Sequence, residues 1–214
     1  MTKSALPVTD NALWNNFIQH YAISNQQQVQ FEQYIKILLE ENEKYNITAI
    51  VDTHDVIADH FYDSLALLKL HDMSSVHRLV DVGSGGGFPG IPLAIMLPNV
   101  EIHLVEVNLK KVQFLHMVIA QLGLSHVTVH TDDWRTFLRK FDKQVDLFIA
   151  RASLPVEELL RIFKPSSIHQ QSCFVYWASK KWIPNQFEKE YLDTCLQYQV
   201  GEKQRQLCFF KKSR

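Results

Sequence analysis

Five of the chain's seven glycines lie between Gly83 and Gly90, directly after a short apolar run that ends at Asp81. Glycine allows tight turns and a close approach of the backbone to a ligand. The apolar run predicts a buried parallel strand, and the apolar spacing after Gly90 predicts a helix whose N-terminal amides face that ligand. The sequence therefore predicts a loop that binds a nucleotide cofactor, with the chemistry just beyond the C-terminal end of the strand.

Two carboxylates indicate which cofactor this loop would hold. The spacing Gly85-x-Gly87-x-x-Gly90 fits a dinucleotide loop, but the nearby Asp81 would repel a pyrophosphate. The second predicted strand ends at Glu106, where a carboxylate can accept both hydrogen bonds of a ribose diol. S-adenosylmethionine carries an ammonium and a sulfonium but no phosphate, so the two acids favour it over NAD. The alternative is that Gly83 to Gly90 form only a structural turn and that Glu106 is a surface acid at the end of a strand.

Composition and cysteine usage place the chain among globular proteins of a reducing compartment. It has 214 residues, 46% of them hydrophobic, with no apolar run of membrane-spanning length. Residues 1–7 lack the apolar core of a signal peptide, so we expect a cytoplasmic protein. Cys173, Cys195 and Cys208 are odd in number and widely spaced, which argues against a disulfide framework and a zinc site. The ten histidines show no metal-ligand spacing, and we expect no metal.

Charge is unevenly distributed along the chain. The first 77 residues contain four Lys and Arg against ten Asp and Glu, whereas the remaining residues contain 18 against 13. Basic charge is thus concentrated in the half that carries the glycine loop. This permits an RNA partner without requiring one, because scattered solvated lysines explain the same counts.

Hydrophobic periodicity predicts helices followed by alternating strands and helices. Three N-terminal amphipathic helices are expected at residues 10–21, 25–45 and 53–70, the last capped by Thr53. After a linker at 71–77, strands are expected at 78–82, 101–106, 126–130, 145–149, 173–178, 195–200 and 206–211. Helices between them are expected at 89–97, 108–122, 134–140, 155–163 and 185–191, with Gly123 closing the second. This alternation predicts a doubly wound α/β sheet.

Several segments of the chain match one sequence pattern. The longest is the loop itself, Asp81-Val-Gly-Ser-Gly-Gly-Gly-Phe-Pro-Gly-Ile-Pro-Leu-Ala94, and the others are Tyr45–Ile50, His60–Leu65, Lys110–Leu115, Asp146–Ala152, Lys180 and Arg205–Leu207. Together they resemble the bacterial glucose-inhibited division protein B (RsmG) family of small-subunit ribosomal RNA guanine-N7 methyltransferases. The loop is the most specific segment, because generic methyltransferases lack its Phe-Pro-Gly-Ile-Pro. The resemblance covers roughly residues 30–210.

The resemblance implies a Rossmann-like class I methyltransferase fold, mostly parallel, with an N-terminal helical extension. We expect residues 1–77 to pack on a methyltransferase domain of residues 78–214 as one globular unit and as a monomer. The implied cofactor is S-adenosylmethionine, and the implied target is a guanine in the decoding-region loop of 16S ribosomal RNA or the small subunit. A methyltransferase of another RNA, a protein or a small molecule, and a non-catalytic RNA-binding module of the same fold, stay open as alternatives.

The implied reaction needs positioning instead of a general base, because guanine N7 has a lone pair and no proton. Arg151, after the predicted strand 145–149, is expected to orient the guanine or its phosphate. The alternative for Arg151 is a salt bridge to Asp63 or another N-terminal acid. Predicted RNA contacts, each with a surface-charge alternative, are Lys110, Lys111, Lys180 and Arg205.

Predicted cofactor-binding residues cluster at the ends of the first four strands. Two positions depart from the family pattern: Asp133-Trp134-Arg135 replaces Arg-Ala-Glu, and Gln206 replaces a histidine. Asp132 or Asp133 could accept from the adenine amino group, or the pair could cap a helix. His60, Asp63 and Ser64 could cover the cofactor or only pack, and the tryptophans Trp134, Trp177 and Trp182 are more typical of a core. The predicted cofactor residues are Asp81, Gly83, Ser84, Gly85, Gly87, Phe88, Glu106, Asp132, Asp133, Trp134 and Arg151.

Overall fold

The computed structural model describes residues 11–50 and 52–212. Two predictions concern residues outside this part of the chain: the helix start at residue 10 and the missing signal-peptide core in residues 1–7. Within the described ranges, no helix combines the length and apolar character that crossing a membrane requires.

The chain begins with helices α1 (Asn11–Tyr21) and α2 (Asn25–Tyr45), close to their predicted bounds. Helix α2 starts with a capping box, in which the Ser24 side chain accepts the Gln27 N–H and the Gln27 side chain accepts the Ser24 N–H. It ends at Asn46, whose left-handed backbone lets its N–H donate to the Asn42 carbonyl. These local hydrogen bonds explain why the sequence pattern predicts α2 so closely.

Residues 53–70 form a chain of short helical segments instead of the one regular helix predicted. They are α3 (Thr53–Asp55), a π-helical segment (Val56–Tyr62), α4 (Asp63–Leu65) and α5 (Leu67–Leu70). The predicted cap at Thr53 is wrong by one residue, because the Asp52 carboxylate accepts the His54 N–H at 2.7 Å. π-helical turns are frequent at functional sites. This one contains His60 and ends directly before Asp63.

Seven strands form one sheet in the order β3-β2-β1-β4-β5-β7-β6. The strands are β1 (Arg78–Val82), β2 (Glu101–Val105), β3 (Val127–His130), β4 (Leu147–Arg151), β5 (Cys173–Ser179), β6 (Leu192–Val200) and β7 (Lys203–Phe210). The connecting helices are α6 (Gly90–Met96), α7 (Leu109–Leu122), α8 (Trp134–Lys140), α9 (Val156–Leu159) with a following 3₁₀ segment (Leu160–Phe163), and α10 (Gln186–Lys189).

The sheet confirms the predicted Rossmann-like, mostly parallel, doubly wound fold with an N-terminal helical extension. Strands β1 to β5 pair in parallel, and β7 pairs antiparallel with both β5 and β6. The strand order reverses between β1 and β4, and ligands of such sheets bind in the crevice at this point.

Two apolar clusters cover the two faces of the sheet, because neighbouring side chains of a strand point to opposite faces. Phe31 and Phe61 of the N-terminal helices share one cluster with Leu79 of β1. Val80 of the same strand lies in the other cluster, with Phe137 of α8. The helices before residue 77 are therefore part of the core of the sheet, while the division of the chain into two regions at that residue stays a prediction.

Strand β4 lies two residues later than the sequence predicts. The apolar run predicts a strand at 145–149, but the ladder spans Leu147–Arg151, with Arg151 opposite Trp177 of β5. Arg151 is thus the last residue of the strand and does not follow it. Neighbouring strands determine where a ladder ends, and the local sequence does not contain that information.

The structure contradicts the expectation that the chain has no disulfide. Cys195 of β6 and Cys208 of β7 face each other in the antiparallel register, with their Cα atoms 4.1 Å apart, and are joined by a disulfide. Cys173 is the free cysteine of the described residues. Cysteine spacing misses the pair because strand register decides it, and the 13-residue separation forms no recognisable motif.

Candidate active site

A cavity of about 1050 Å³ lies at the C-terminal ends of β1 to β4, where the glycine loop was expected to place the chemistry. It is also lined by the N-terminal segment from Ile47 to Asp63 and by the start of β7. Eleven of the predicted residues line it: Gly83, Ser84, Gly85, Phe88, Glu106, Lys111, Asp132, Asp133, Trp134, Arg151 and Arg205. The structure does not bring four others to its wall: Asp81, Gly87, Lys110 and Lys180.

The glycine loop is held tightly at its first glycine. Gly83 has a left-handed backbone (φ +73°), and a Cβ there would lie 2.4 Å from the Cβ of Ser153. Gly85 is also left-handed (φ +58°), but a Cβ there would have its nearest neighbours at 3.9 and 4.0 Å. Backbone conformation therefore explains glycine at position 85, whereas steric exclusion applies at position 83.

Asp81 is buried beneath the loop instead of facing the cavity. Its Oδ2 accepts the N–H of Gly90 at 3.0 Å, which fixes the start of α6. Burial raises the pKa of the carboxyl to about 7. The sequence predicts that the charge of Asp81 selects the cofactor, but the structure gives this residue a backbone partner and places it away from the cavity wall.

Glu106 lies at the cavity wall and is tied to the glycine loop. Its Oε2 accepts the Gly85 N–H at 2.8 Å and its Oε1 accepts the Asn108 N–H at 2.8 Å. The side chain is almost fully buried, so the alternative of a solvated surface acid does not describe it. Each carboxylate oxygen has two acceptor positions, and one of them on each oxygen is not used by these backbone donors.

The Asp-Asp-Trp segment after β3 forms the start of α8. Asp133 caps this helix by accepting the N–H groups of Arg135 and Thr136, as the helix-cap alternative predicts. Asp132 pairs with Lys140 at 2.7 Å. Trp134 is buried, and its Nε1 donates to a backbone carbonyl at 2.9 Å. Asp132, Asp133 and Trp134 all line the cavity, and each also makes the structural contact just described.

Arg151 projects from the end of β4 into a set of contacts with the N-terminal helical segment. Its Nη1 donates to Asp63 Oδ2 at 2.9 Å, and its Nη2 donates to His60 Nδ1 at 2.8 Å. Its guanidinium carbon lies 5.4 Å from the centre of the Phe88 ring, a cation–π distance. The structure thus contains the Arg151–Asp63 salt bridge considered as an alternative, and it keeps Arg151 on the cavity wall.

His60 is a neutral partner of this arginine. Its ring stacks on Phe88 with centroids 4.0 Å apart. Burial and then the charge of Arg151 lower the pKa of His60 to about 3. A guanidinium can only donate, so Nδ1 accepts and the proton is assigned to Nε2, which lies 3.1 Å from Thr48 Oγ1.

The predicted RNA contacts separate into two sets. Arg205 and Lys111 line the cavity, whereas Lys180 hydrogen-bonds Gln204 on the exposed surface and Lys110 lies 5.7 Å from the centre of the Tyr45 ring. The amide of Gln206, which stands in place of the family's histidine, donates to the backbone carbonyls of Ser179 and Trp182 instead of lining the cavity.

Sequence reasoning missed several cavity residues. Lys203 of β7 lines the cavity and pairs with Asp59 Oδ2 at 2.5 Å. Thr48 lies inside the Tyr45–Ile50 segment that resembles the family, so that segment was a usable signal. For Lys203 the only signal was the basic run near the C-terminus, which does not single out one lysine.

In the described part of the chain, one group of side chains has the spacing of metal ligands: Asp52, His54 and Asp55. All three are exposed, and Asp52 serves as a helix cap. Exposed acidic groups of this kind are common without an ion, so the group carries no assignment. The expected absence of a metal stays a prediction.

Comparison with known proteins points to one family. The sequence pattern of the family described as rRNA small subunit methyltransferase G matches residues 27–208. Ribosomal RNA small subunit methyltransferase G of Staphylococcus epidermidis (strain ATCC 12228) is 40% identical over 135 residues, which are 63% of this chain and 56% of that protein. The same-named protein of Geobacillus sp. (strain WCH70) is 37% identical over 160 residues, 73% of this chain and 67% of that protein. The matches thus span between half and two thirds of these relatives.

Solved structures agree on the fold. A putative O-methyltransferase from Klebsiella pneumoniae superposes with a TM-score of 0.59 at 15% identity, covering 94% of this chain and 97% of its own. A mutant of MtNAS in complex with S-adenosylmethionine gives a TM-score of 0.59 at 16% identity, covering 94% and 84%. Because the identities are this low, these similarities are evidence for the architecture alone.

Proposed function

Because the chain belongs to the small-subunit ribosomal RNA methyltransferase G family, we propose that it transfers a methyl group from S-adenosylmethionine to a guanine of 16S ribosomal RNA. The acceptor atom is N7, and the guanine lies in the decoding-region loop. The observation that carries the proposal is the meeting of two features on one cavity: the glycine loop held by Glu106 and the guanidinium of Arg151.

The cavity fits the cofactor. Its volume of about 1050 Å³ is slightly above the roughly 300 to 1,000 Å³ that small-molecule pockets occupy, which supports a cofactor together with a base. Glu106 keeps one acceptor position on each oxygen for the two ribose hydroxyls. Backbone groups of Gly83 to Gly85 and the segment Asp132–Trp134 complete the cofactor contacts that we propose.

The chemistry requires little from the side chains. The cofactor, when bound, supplies an electrophilic methyl group on a sulfonium. Guanine N7 presents a lone pair without a proton, so the protein needs to align the base and not to deprotonate it. Holding reactants in line is worth about 7 to 11 kcal/mol of the barrier. Arg151 orients the guanine or its phosphate, and the neutral His60 adds no second positive charge beside the guanidinium.

Basic residues around the cavity support RNA binding. Lys111, Lys203 and Arg205 line it, and the exposed Lys110 and Lys180 lie outside its wall. We assign these five residues to phosphate contacts, whose replacement weakens binding and flattens its salt dependence. The assignment rests on position and charge, and the partner that we propose, 16S RNA or the small subunit, follows from the family.

We further propose that the chain works as a monomer in the cytoplasm, where ribosomal RNA is available, and that residues 1–77 and 78–214 act as one unit. The shared apolar cluster of the N-terminal helices and the sheet supports the last point. Light scattering of the purified chain tests the monomer, since a mass near twice 24.9 kDa would contradict it.

The test of the function is a map of N7-methylguanines in ribosomal RNA from cells with the gene, without it, and complemented with Glu106→Ala. We expect one decoding-region guanine to lose its methyl group without the gene and to stay unmethylated with the variant. An unchanged map would overturn the proposal. A change at another RNA would favour the alternative of a methyltransferase with a different target.

A further inference from the structure

Donors from four strands meet a single buried residue of the N-terminal helical segment. Asp63 Oδ2 accepts from Arg151 of β4 at 2.9 Å, and Asp63 Oδ1 accepts from the hydroxyl of Tyr198 of β6 at 2.6 Å. The Nε of Arg205 of β7 lies 3.5 Å from Oδ1. The Nε1 of Trp177 of β5 donates to the backbone carbonyl of Asp63 at 2.8 Å. Asp63 is 1% exposed, so its carboxylate is almost completely enclosed by these partners and the surrounding protein.

The division of donors between the two oxygens fixes the carboxylate. Arg151 alone would neutralise Asp63, but a carboxylate with one partner can rotate and carry that partner with it. Tyr198 holds the second oxygen, and burial raises the pKa of its hydroxyl, so it keeps the proton that it donates. Asp63 is therefore held from two sides and presents Oδ2 in one direction.

The same arrangement determines where the guanidinium points. Its Nη1 is held by Asp63, its Nη2 by His60, and its face lies over the ring of Phe88. A planar guanidinium fixed at two nitrogens has one remaining orientation. Tyr198, 47 positions from Arg151 in sequence, is hydrogen-bonded to the same Asp63 carboxylate that holds Nη1.

We propose that Asp63 and Tyr198 are positioning residues for methyl transfer: the Tyr198 hydroxyl fixes the Asp63 carboxylate, which aims the Arg151 guanidinium at the substrate. The inference rests on the proposed function of the cavity. It assigns a role in the reaction to the edge strand β6, none of whose described residues, Tyr198 included, lines the cavity.

The first experiment compares Tyr198→Phe with the control Tyr21→Phe. Both replacements remove one hydroxyl, and that of Tyr21 donates to the backbone carbonyl of Tyr62 and not to the Asp63 carboxylate. We expect Tyr198→Phe to lower kcat about tenfold while the KM for RNA and the Kd for S-adenosylhomocysteine stay within about twofold. Tyr21→Phe should leave kcat unchanged. An unchanged kcat in Tyr198→Phe, or the same loss in both variants, would overturn the proposal.

The second experiment asks whether Tyr198 acts through Arg151. In an Arg151→Ala background, Tyr198→Phe should cause no further loss of kcat, because the group that it positions is gone. A further loss of about tenfold would show independent action and would overturn the proposal.

A third measurement separates the proposal from the proposed function. In the ligand-free protein, nitrogen-15 spectra of the Arg151 guanidinium report its restraint without any methyl transfer. Tyr198→Phe should accelerate exchange of the Arg151 Nη protons, and Tyr21→Phe should not. Unchanged exchange would overturn the positioning role even if the protein methylates RNA. Faster exchange together with absent methylation would leave the positioning intact and refute the function.

Discussion

Glu106 Oε2 accepts the backbone N–H of Gly85 at 2.8 Å, which joins the acid after β2 to the loop after β1. The contact orients a carboxylate at the cavity wall and restrains the left-handed turn at Gly85 with one hydrogen bond. The two features from which the sequence predicts a cofactor site are thus one physical unit.

Replacing Glu106 should weaken cofactor binding. Glu106→Ala removes the charged acceptor of two ribose hydroxyls. Because hydrogen bonds to charged groups are worth about 1.5 to 3 kcal/mol, we expect the binding free energy of the cofactor to weaken by that amount. Isothermal titration with S-adenosylhomocysteine measures the change. Glu101→Gln is the control, since Glu101 pairs with Arg78 and Lys143 at the other end of β2. Equal affinity in Glu106→Ala and the wild type would return Glu106 to a purely structural role.

Arg151→Lys should separate orientation from charge. An ammonium can still pair with Asp63 but lacks the planar fork that also reaches His60, so we expect methyl transfer to fall about a hundredfold, or about 2.7 kcal/mol. Cofactor affinity should stay within about a few-fold of the wild-type value, because the variant loses the positioning of the base and keeps the cofactor contacts. Single-turnover kinetics measure the first and titration the second.

Arg78→Lys is the matched control for that variant, because Arg78 pairs with Glu101 outside the cavity. Urea unfolding of both variants monitors stability, since a lysine that failed to reach Asp63 would leave a buried carboxylate without this partner, at a cost of about 3 to 5 kcal/mol. A wild-type rate in stably folded Arg151→Lys would contradict the orienting role.

The disulfide predicts a thiol count. Protein denatured without reductant should react at one cysteine, Cys173, and protein denatured after reduction should react at all three. A thiol reagent followed by mass spectrometry gives both numbers. Three reactive thiols before reduction, in protein purified without reductant, would contradict the Cys195–Cys208 bond.

The sequence predicted those elements whose signals are local. The bounds of α2 and β1 are as predicted, and Gly123 closes α7 with a left-handed backbone, because caps and periodicity act within a few residues. The meeting of the glycine loop and Glu106 at the cavity was also predictable. Each follows the end of a parallel strand, and neighbouring parallel strands end at one edge of the sheet.

Contacts between residues that lie far apart in the sequence could not be predicted from such local signals. Arg151 and Asp63 are separated by 88 positions and Tyr198 and Asp63 by 135. The resemblance made both Arg151 and Asp63 candidates, but no local pattern includes Tyr198. The pairing of Cys195 with Cys208 depends on the β6–β7 register, and the burial of Asp81 depends on the close approach of Gly90.

Methyl transfer by this chain can be measured with purified protein, labelled S-adenosylmethionine and purified small subunits or 16S RNA that lack the modification. After the reaction, the RNA is cleaved chemically at N7-methylguanine and the site is read by primer extension. We expect one new cleavage in the decoding-region loop, absent with Glu106→Ala. Label on another atom or another RNA segment, or no transfer while S-adenosylhomocysteine binds, would contradict it.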